Sequence, residues 1–231
     1  MTDLLGSSAY FGLLLSLGAY GLGLLLQRRW KLPIFNPLLV AIVVVAVVLL
    51  LLDLDYGSYS QGANLLNYLL TPATVCLAVP LYEQFSLLRR HGKAVLLGIA
   101  AGVLASLVTI LVLAWLFSLD HSAYVTLLPK SITTAIGMDV SAELGGYVSV
   151  TVAVIILPGV LGSVIAEGVF RLFRITDAVA RGVAMGTSAH AIGTAKAMEL
   201  GEVEGAMSSL AIVVAGLLTV AAAPLFGGLP L

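Results

Sequence analysis

Two short stretches hold the residue types that could handle a small charged solute: Pro129-Lys130-Ser131-Ile132-Thr133-Thr134, and Gly186-Thr187-Ser188-Ala189-His190 with Thr194 just beyond. A lysine in an apolar setting is costly unless it meets a carboxylate, water or an anionic solute. Serine and threonine hydroxyls cap the orphan N–H groups of a helix start, and glycine lets backbone approach a ligand. A half-helix that begins inside an apolar medium presents free N–H groups and partial positive charge, which suits a carboxylate. The candidate binding set is therefore Lys130, Ser131, Thr133, Thr134, Thr187, Ser188, His190 and Thr194. His190 is also the candidate proton carrier, because an imidazole in a polar cavity titrates near neutral pH. Plainer readings stand beside these: Lys130 snorkels to an interface, His190 is a histidine occupied by hydrogen bonds, and the small residues only let helices pack closely.

The two stretches are related. Ala135-Ile136-Gly137 and Glu143-Leu144-Gly145 recur 56 residues later as Ala191-Ile192-Gly193 and Glu199-Leu200-Gly201, the mark of an internal repeat. His190 replaces Thr134, so the copies are not identical. Glu143 and Glu199 are expected to mark the ends of the two elements. Asp139 has no acidic counterpart and is expected to pair with Lys130 or face a vestibule.

The elements that position these residues follow from composition. With 60% hydrophobic and 10% charged residues and a mean hydropathy of +1.11, the 231-residue chain falls outside the range of soluble globules and reads as a polytopic membrane protein. Its single cysteine, Cys76, excludes an internal disulfide framework and reads as a small packing residue. The start, Met1-Thr2-Asp3, lacks a basic region, so no cleavable signal peptide is expected. Nothing has the spacing of a phosphate loop, a zinc-protease motif or a nucleophile elbow. Neither enzyme activity, nor a cofactor, a metal site or a nucleic-acid partner is expected.

Apolar runs at 10–26, 36–52, 64–82, 94–117, 148–170 and 205–226 are expected to span, the third broken by Pro72 and Pro80. Nine of the eleven basic residues lie in three clusters: Arg28, Arg29 and Lys31; Arg89, Arg90 and Lys93; Arg171, Arg174 and Arg181. All three fall on the cytoplasmic side only if the N-terminus is outside and each repeat copy enters and leaves on one face. The fold class expected is thus an all-α polytopic membrane protein, with about six full spans and two re-entrant or discontinuous helical elements. An internal inverted repeat relates the two. The halves would be 1–123 and 124–231, the repeat units 124–170 and 178–226. Inverted repeats with interrupted helices near the midplane are a recurring transporter design.

The chain resembles the LrgB/CidB family of bacterial inner-membrane proteins. The resemblance is carried by Asn36-Pro37-Leu38-Leu39, Thr71-Pro72-Ala73-Thr74-Val75, Leu77-Ala78-Val79-Pro80-Leu81-Tyr82, Pro129 through Thr134, Gly186 through Ala195, and Gly201-Glu202-Val203-Glu204-Gly205-Ala206. Thr71 stands where glycine is usual in the family. The resemblance implies one of two functions. One is transport of small monocarboxylates of the glycolate, glycerate and pyruvate class, to which His190, as the candidate proton carrier, would add proton coupling. The other is antiholin-like regulation of murein hydrolase export and autolysis with an LrgA/CidA-type small membrane partner. It also implies the bacterial cytoplasmic membrane as location and allows a homo-oligomer. A lytic pore needs no asymmetric pair of broken helices with a buried lysine and histidine, so the residues favour the carrier.

Overall fold

The computed structural model describes residues 10–30, 35–76 and 78–230; the expectations resting on Met1-Thr2-Asp3, Lys31 and Leu77 lie outside the described residues. All regular structure described is helical. Among the described residues four helices are long and apolar enough to cross a membrane, where the sequence led us to expect about six.

The chain falls into two compact units, Met1–Cys76 and Leu77–Leu231. This is a different cut from the repeat-based halves 1–123 and 124–231. In the first unit, α1 (Phe11–Trp30) carries Arg28 and Arg29 in its last turn. Asn36 starts α2 (Pro37–Leu51) by accepting from the Leu38 and Leu39 amides at 3.0 and 3.2 Å, with proline at the first helical position, where its missing N–H costs nothing. Fifteen residues reach only about 22 Å at 1.5 Å each, short of a hydrocarbon core of about 30 Å. The third helix, α3 (Tyr56–Cys76), begins eight residues before the expected run, so its first turns bring in glycine, serine, glutamine and asparagine, and it is not among the four apolar spans. The helices meet through small residues: a Cβ on Gly12 would strike the Tyr59 carbonyl, and one on Gly23 would lie 2.7 Å from Pro37 Cα. Cys76 is exposed rather than packed.

The second unit begins with α4 (Ala78–Glu83) and α5 (Phe85–Leu116), the latter of 32 residues. At about 48 Å, α5 takes in the basic cluster as well as the apolar run. Its buried face, with Ile99, Leu107, Ile110 and Ala114, packs on Tyr124, Val125 and Leu128 and on Ala206, Met207, Ala211 and Ala215.

The two repeat copies form helical hairpins. In the second, α9 (Ala178–Leu200) contains His190 at φ 40, ψ −135, a left-handed backbone that non-glycine residues avoid. Packing partners show the chain doubling back there. Before His190, Gly182 abuts Glu204 and Gly186 abuts Ser208, so the first arm runs with α10 (Glu202–Gly227). After it, Thr194 meets Ser208 and Gly205 abuts Met198, so the second arm runs against α10. The preceding helix, α8 (Val148–Leu172), sees the converse. Its Gly162 and Phe170 meet Ala189 and Arg181 of the first arm, and its Gly159 and Glu167 meet Ile192 and Lys196 of the second. Arms of this length, about 18 and 15 Å, are each about half the thickness of a hydrocarbon core of about 30 Å.

In the first copy the arms are α6 (His121–Leu127) and α7 (Thr134–Glu143), with residues 128–133 as the apex. Asp120 caps α6, its Oδ1 accepting from the Ala123 amide at 2.7 Å. Thr151 donates to Ser141 at 2.7 Å, the Thr126 hydroxyl accepts from the Tyr147 amide at 2.7 Å, and Gly137 packs on Ile155. Thus α6 runs with α8 and α7 against it. Positions 56 apart make like contacts: Gly137 lies beside Pro129 as Gly193 lies beside Met185, and the Thr126 and Thr151 pair has Gly182 and Met207 as its counterpart. The elements end at Glu143 and at Leu200, just past Glu199.

Candidate functional site

The first arm of α9 lies along α5 in the same direction, Gly98 facing Val183 and Gly102 facing Thr187. Glycines there let two helices approach without interlocking side chains. One turn further along α5, Ser106 meets Ser131 of the first apex, Oγ to Oγ 3.2 Å. These three elements enclose a cavity of about 710 Å³.

Its lining is uneven. Near the apex are Lys130, Ser131, Ser106, Thr109, Thr187 and Ser188; at the far end are His91 and Asp177; between them the walls are alanine, glycine and valine. From His91 to Ser106 along α5 is about 22 Å, so the charged end and the polar apex are well separated.

Lys130 is half-buried and its Nζ donates to Ser131 Oγ at 2.9 Å. The ion pairs among the described residues are Arg181 with Glu204, and Lys196 with Glu167 and Glu199; Lys130 joins none. The expected pairing with Asp139, which is exposed on α7, does not form, because α7 leaves the apex in the other direction. Thr187 is 6% exposed, and its Oγ1 is a buried polar atom without a hydrogen-bond partner among the described residues. An unpaired buried hydroxyl costs about 1–3 kcal/mol. Ser131 and Thr187 occupy equivalent positions of the two copies. Ser131 is bonded on two sides, and Thr187 stands free.

Four of the eight candidates, Lys130, Ser131, Thr187 and Ser188, therefore converge on the cavity. The other four do not line it. Thr133 is the N-cap residue of α7 without a side-chain capping bond, and Thr134 is the first residue of that helix. Thr194 is buried between the His190 carbonyl, 3.0 Å, and Ser208 Oγ, 2.7 Å. His190, 3% exposed, donates from Nε2 to the Ile155 carbonyl of α8 at 3.0 Å. Its ring lies on Gly159, where a Cβ would come within 2.8 Å. The imidazole pins the hairpin apex to α8. Of the residues expected at the half-helix starts, Ser131, Thr187 and Ser188 line the cavity, but they lie before the breaks; the starts themselves, at Thr134 and just after His190, do not line it.

Sequence reasoning passed over Ser106, Thr109, His91 and Asp177. The first two continue the row Gly98, Gly102, Ala105 on one face of α5, a helical spacing that marks close approach of a neighbour. Asp177 is the α9 N-cap, its Oδ1 accepting from the Ala180 amide at 2.8 Å. No three of histidine, cysteine, aspartate and glutamate stand together to hold a metal among the described residues.

The family model described as the LrgB-like family matches residues 16–229. No solved structure matches the chain.

Proposed function

The chain belongs to the LrgB-like family and is membrane-embedded, and from that premise we propose that it carries small monocarboxylates of the glycolate, glycerate and pyruvate class across the bacterial cytoplasmic membrane by alternating access. One observation carries the reading: a lysine ammonium without a carboxylate partner among the described residues lines a cavity whose same end carries the hydroxyl residues Ser131, Ser106 and Thr109. A carboxylate would accept from Lys130 Nζ and Ser131 Oγ at this end of the cavity. Charge-assisted bonds of this kind are the strong ones.

The helix directions support the transport design. The first arm of α9 runs with α10 and against α8, so α8 and α10 are opposed, and so are the hairpins that precede them. This is an inverted pair of broken elements meeting at depth, with each hairpin re-entrant and its two ends on one face. The end of the cavity lined by His91 and Asp177 carries Arg89, Arg90, Arg174 and Arg181, which the positive-inside tendency puts in the cytoplasm. The N-terminus is then outside. His190 serves as the apex pin; proton coupling, where it occurs, acts through the set of the hairpin. The carrier is not an enzyme and works without a cofactor.

The test is counterflow of labelled glycolate and pyruvate into liposomes holding this protein alone, with and without an imposed pH gradient. Saturable counterflow competed by other short carboxylates is expected. Absence of flux alone, with broad solute leak once an LrgA-type partner is added, would replace the reading with a lysis-regulating complex.

A further inference from the structure

The cavity is banded along its length, and both helices that wall it carry the bands in the same order. His91 of α5 and Asp177 at the start of α9 hold one end. The middle is Val95, Gly98 and Gly102 on α5 and Val179, Val183 and Ala184 on α9, with Gly98 directly beside Val183. The other end has Lys130, Ser131, Ser106 and Thr109. Thr187 stands level with Gly102, but its Oγ1 is buried, so the middle band meets a solute with hydrocarbon.

This band is larger than a two-carbon acid requires. Glycolate has five non-hydrogen atoms, and at the volume each molecule takes in liquid water they fill about 150 Å³. The cavity has about 710 Å³, and clefts of about 300–1,000 Å³ enclose ligands of drug size. From Ser106, whose Oγ lies 3.2 Å from that of Ser131, to Gly98 is about 12 Å along α5. A carboxylate held at Lys130 leaves all of that length to the rest of the solute. Polar groups placed there would give up water without gaining a partner, whereas each methylene placed there leaves water at a gain.

We infer that the cavity takes monocarboxylates with an apolar tail, such as hexanoate and octanoate, in preference to acids of two or three carbons. The carboxylate sits at Lys130 and Ser131, and the tail runs along α5 to the Gly98 and Val183 pair. The inference rests on the carboxylate-binding reading above and adds what fills the remainder of the site.

The experiment is competition of labelled glycolate counterflow by acetate, butyrate, hexanoate and octanoate, with octanamide as the uncharged control. Inhibition constants should fall about threefold per added methylene, and octanamide should inhibit far more weakly than octanoate. The tail is placed by a single cysteine, Gly98→Cys in a Cys76→Ser background; a Cβ at 98 would be 3.6 Å from Val183 Cγ1, an ordinary contact. Saturating octanoate should slow alkylation of that cysteine several-fold, and saturating acetate should not. Saturable glycolate flux with inhibition constants flat within twofold along the series, the outcome if a lipid chain fills the band, overturns the inference and leaves the carrier reading standing. Octanamide equal to octanoate overturns it too, since the gain is then partition into the bilayer. A cysteine at 98 that acetate and octanoate protect alike, or not at all, also overturns it. Selective protection by octanoate in a protein without glycolate flux supports the tail site and sinks the carrier reading alone.

Discussion

Replacing Lys130 by methionine keeps an unbranched side chain of similar length and removes only the ammonium. Lys130 reaches Ser131 Oγ at 2.9 Å and takes part in no ion pair among the described residues, so the change strands no partner carboxylate. Two charges 4 Å apart attract by about 4 kcal/mol at an effective dielectric near 20. Lys130 is half-exposed to the cavity, and water competes there. The net loss is better taken from hydrogen bonds to charged groups, about 1.5–3 kcal/mol. That corresponds to a rise in KM on the order of 10- to 100-fold for glycolate. The assay is concentration-dependent counterflow, with neutral glycolamide as competitor. Weak inhibition by glycolamide should be nearly the same in both proteins, because it never used the charge. Lys130→Arg should fall between, retaining charge on a bulkier fork. A KM within twofold of wild type, or equal loss for the neutral amide, would refute the role given to the ammonium and return Lys130 to a residue that snorkels toward an interface.

His190→Ala should lower the thermal midpoint, since it removes the bond to the Ile155 carbonyl and keeps a side chain at φ 40; the expected loss is about 1–3 kcal/mol. His190→Gly removes the same bond but tolerates the backbone, so it should be more stable than the alanine variant by about 1 kcal/mol; equal midpoints would mean that the apex is not strained. In a Cys76→Ser background, single cysteines at 121–123 and 145–147 should react with an impermeant thiol reagent from the same face, because both ends of a re-entrant hairpin lie together. Labelling from opposite faces would overturn the hairpin topology.

The repeat at a 56-residue offset, the apolar runs and the clustered basic residues were legible because they are periodic or compositional, and such signals survive without coordinates. They located both broken elements, the glutamates at their ends, and the stretches from which Lys130, Ser131, Thr187 and Ser188 reach the cavity. Two of the expected spans are not among the four long apolar helices of the described residues: α2 is apolar but has only 15 residues, and the third expected run, 64–82, passes through Leu77, outside the described residues.

What the chain alone could not decide is which way each polar group faces. Thr133, Thr134, His190 and Thr194 have the same residue types as the cavity group and sit within a few positions of it. A hairpin apex changes direction within one residue, so neighbours such as Ser188 and His190 end on different faces, one toward α5 and the other on α8. Ser106 and Gly102 came to the site from a helix with no repeat signature, through the packing of α5 on the first arm of α9. Sequence period and composition thus determined where the membrane elements break, because those follow from local backbone chemistry. Only the tertiary packing decided which side of each break meets the cavity, because that depends on a neighbour 85 residues away, as Gly102 is from Thr187.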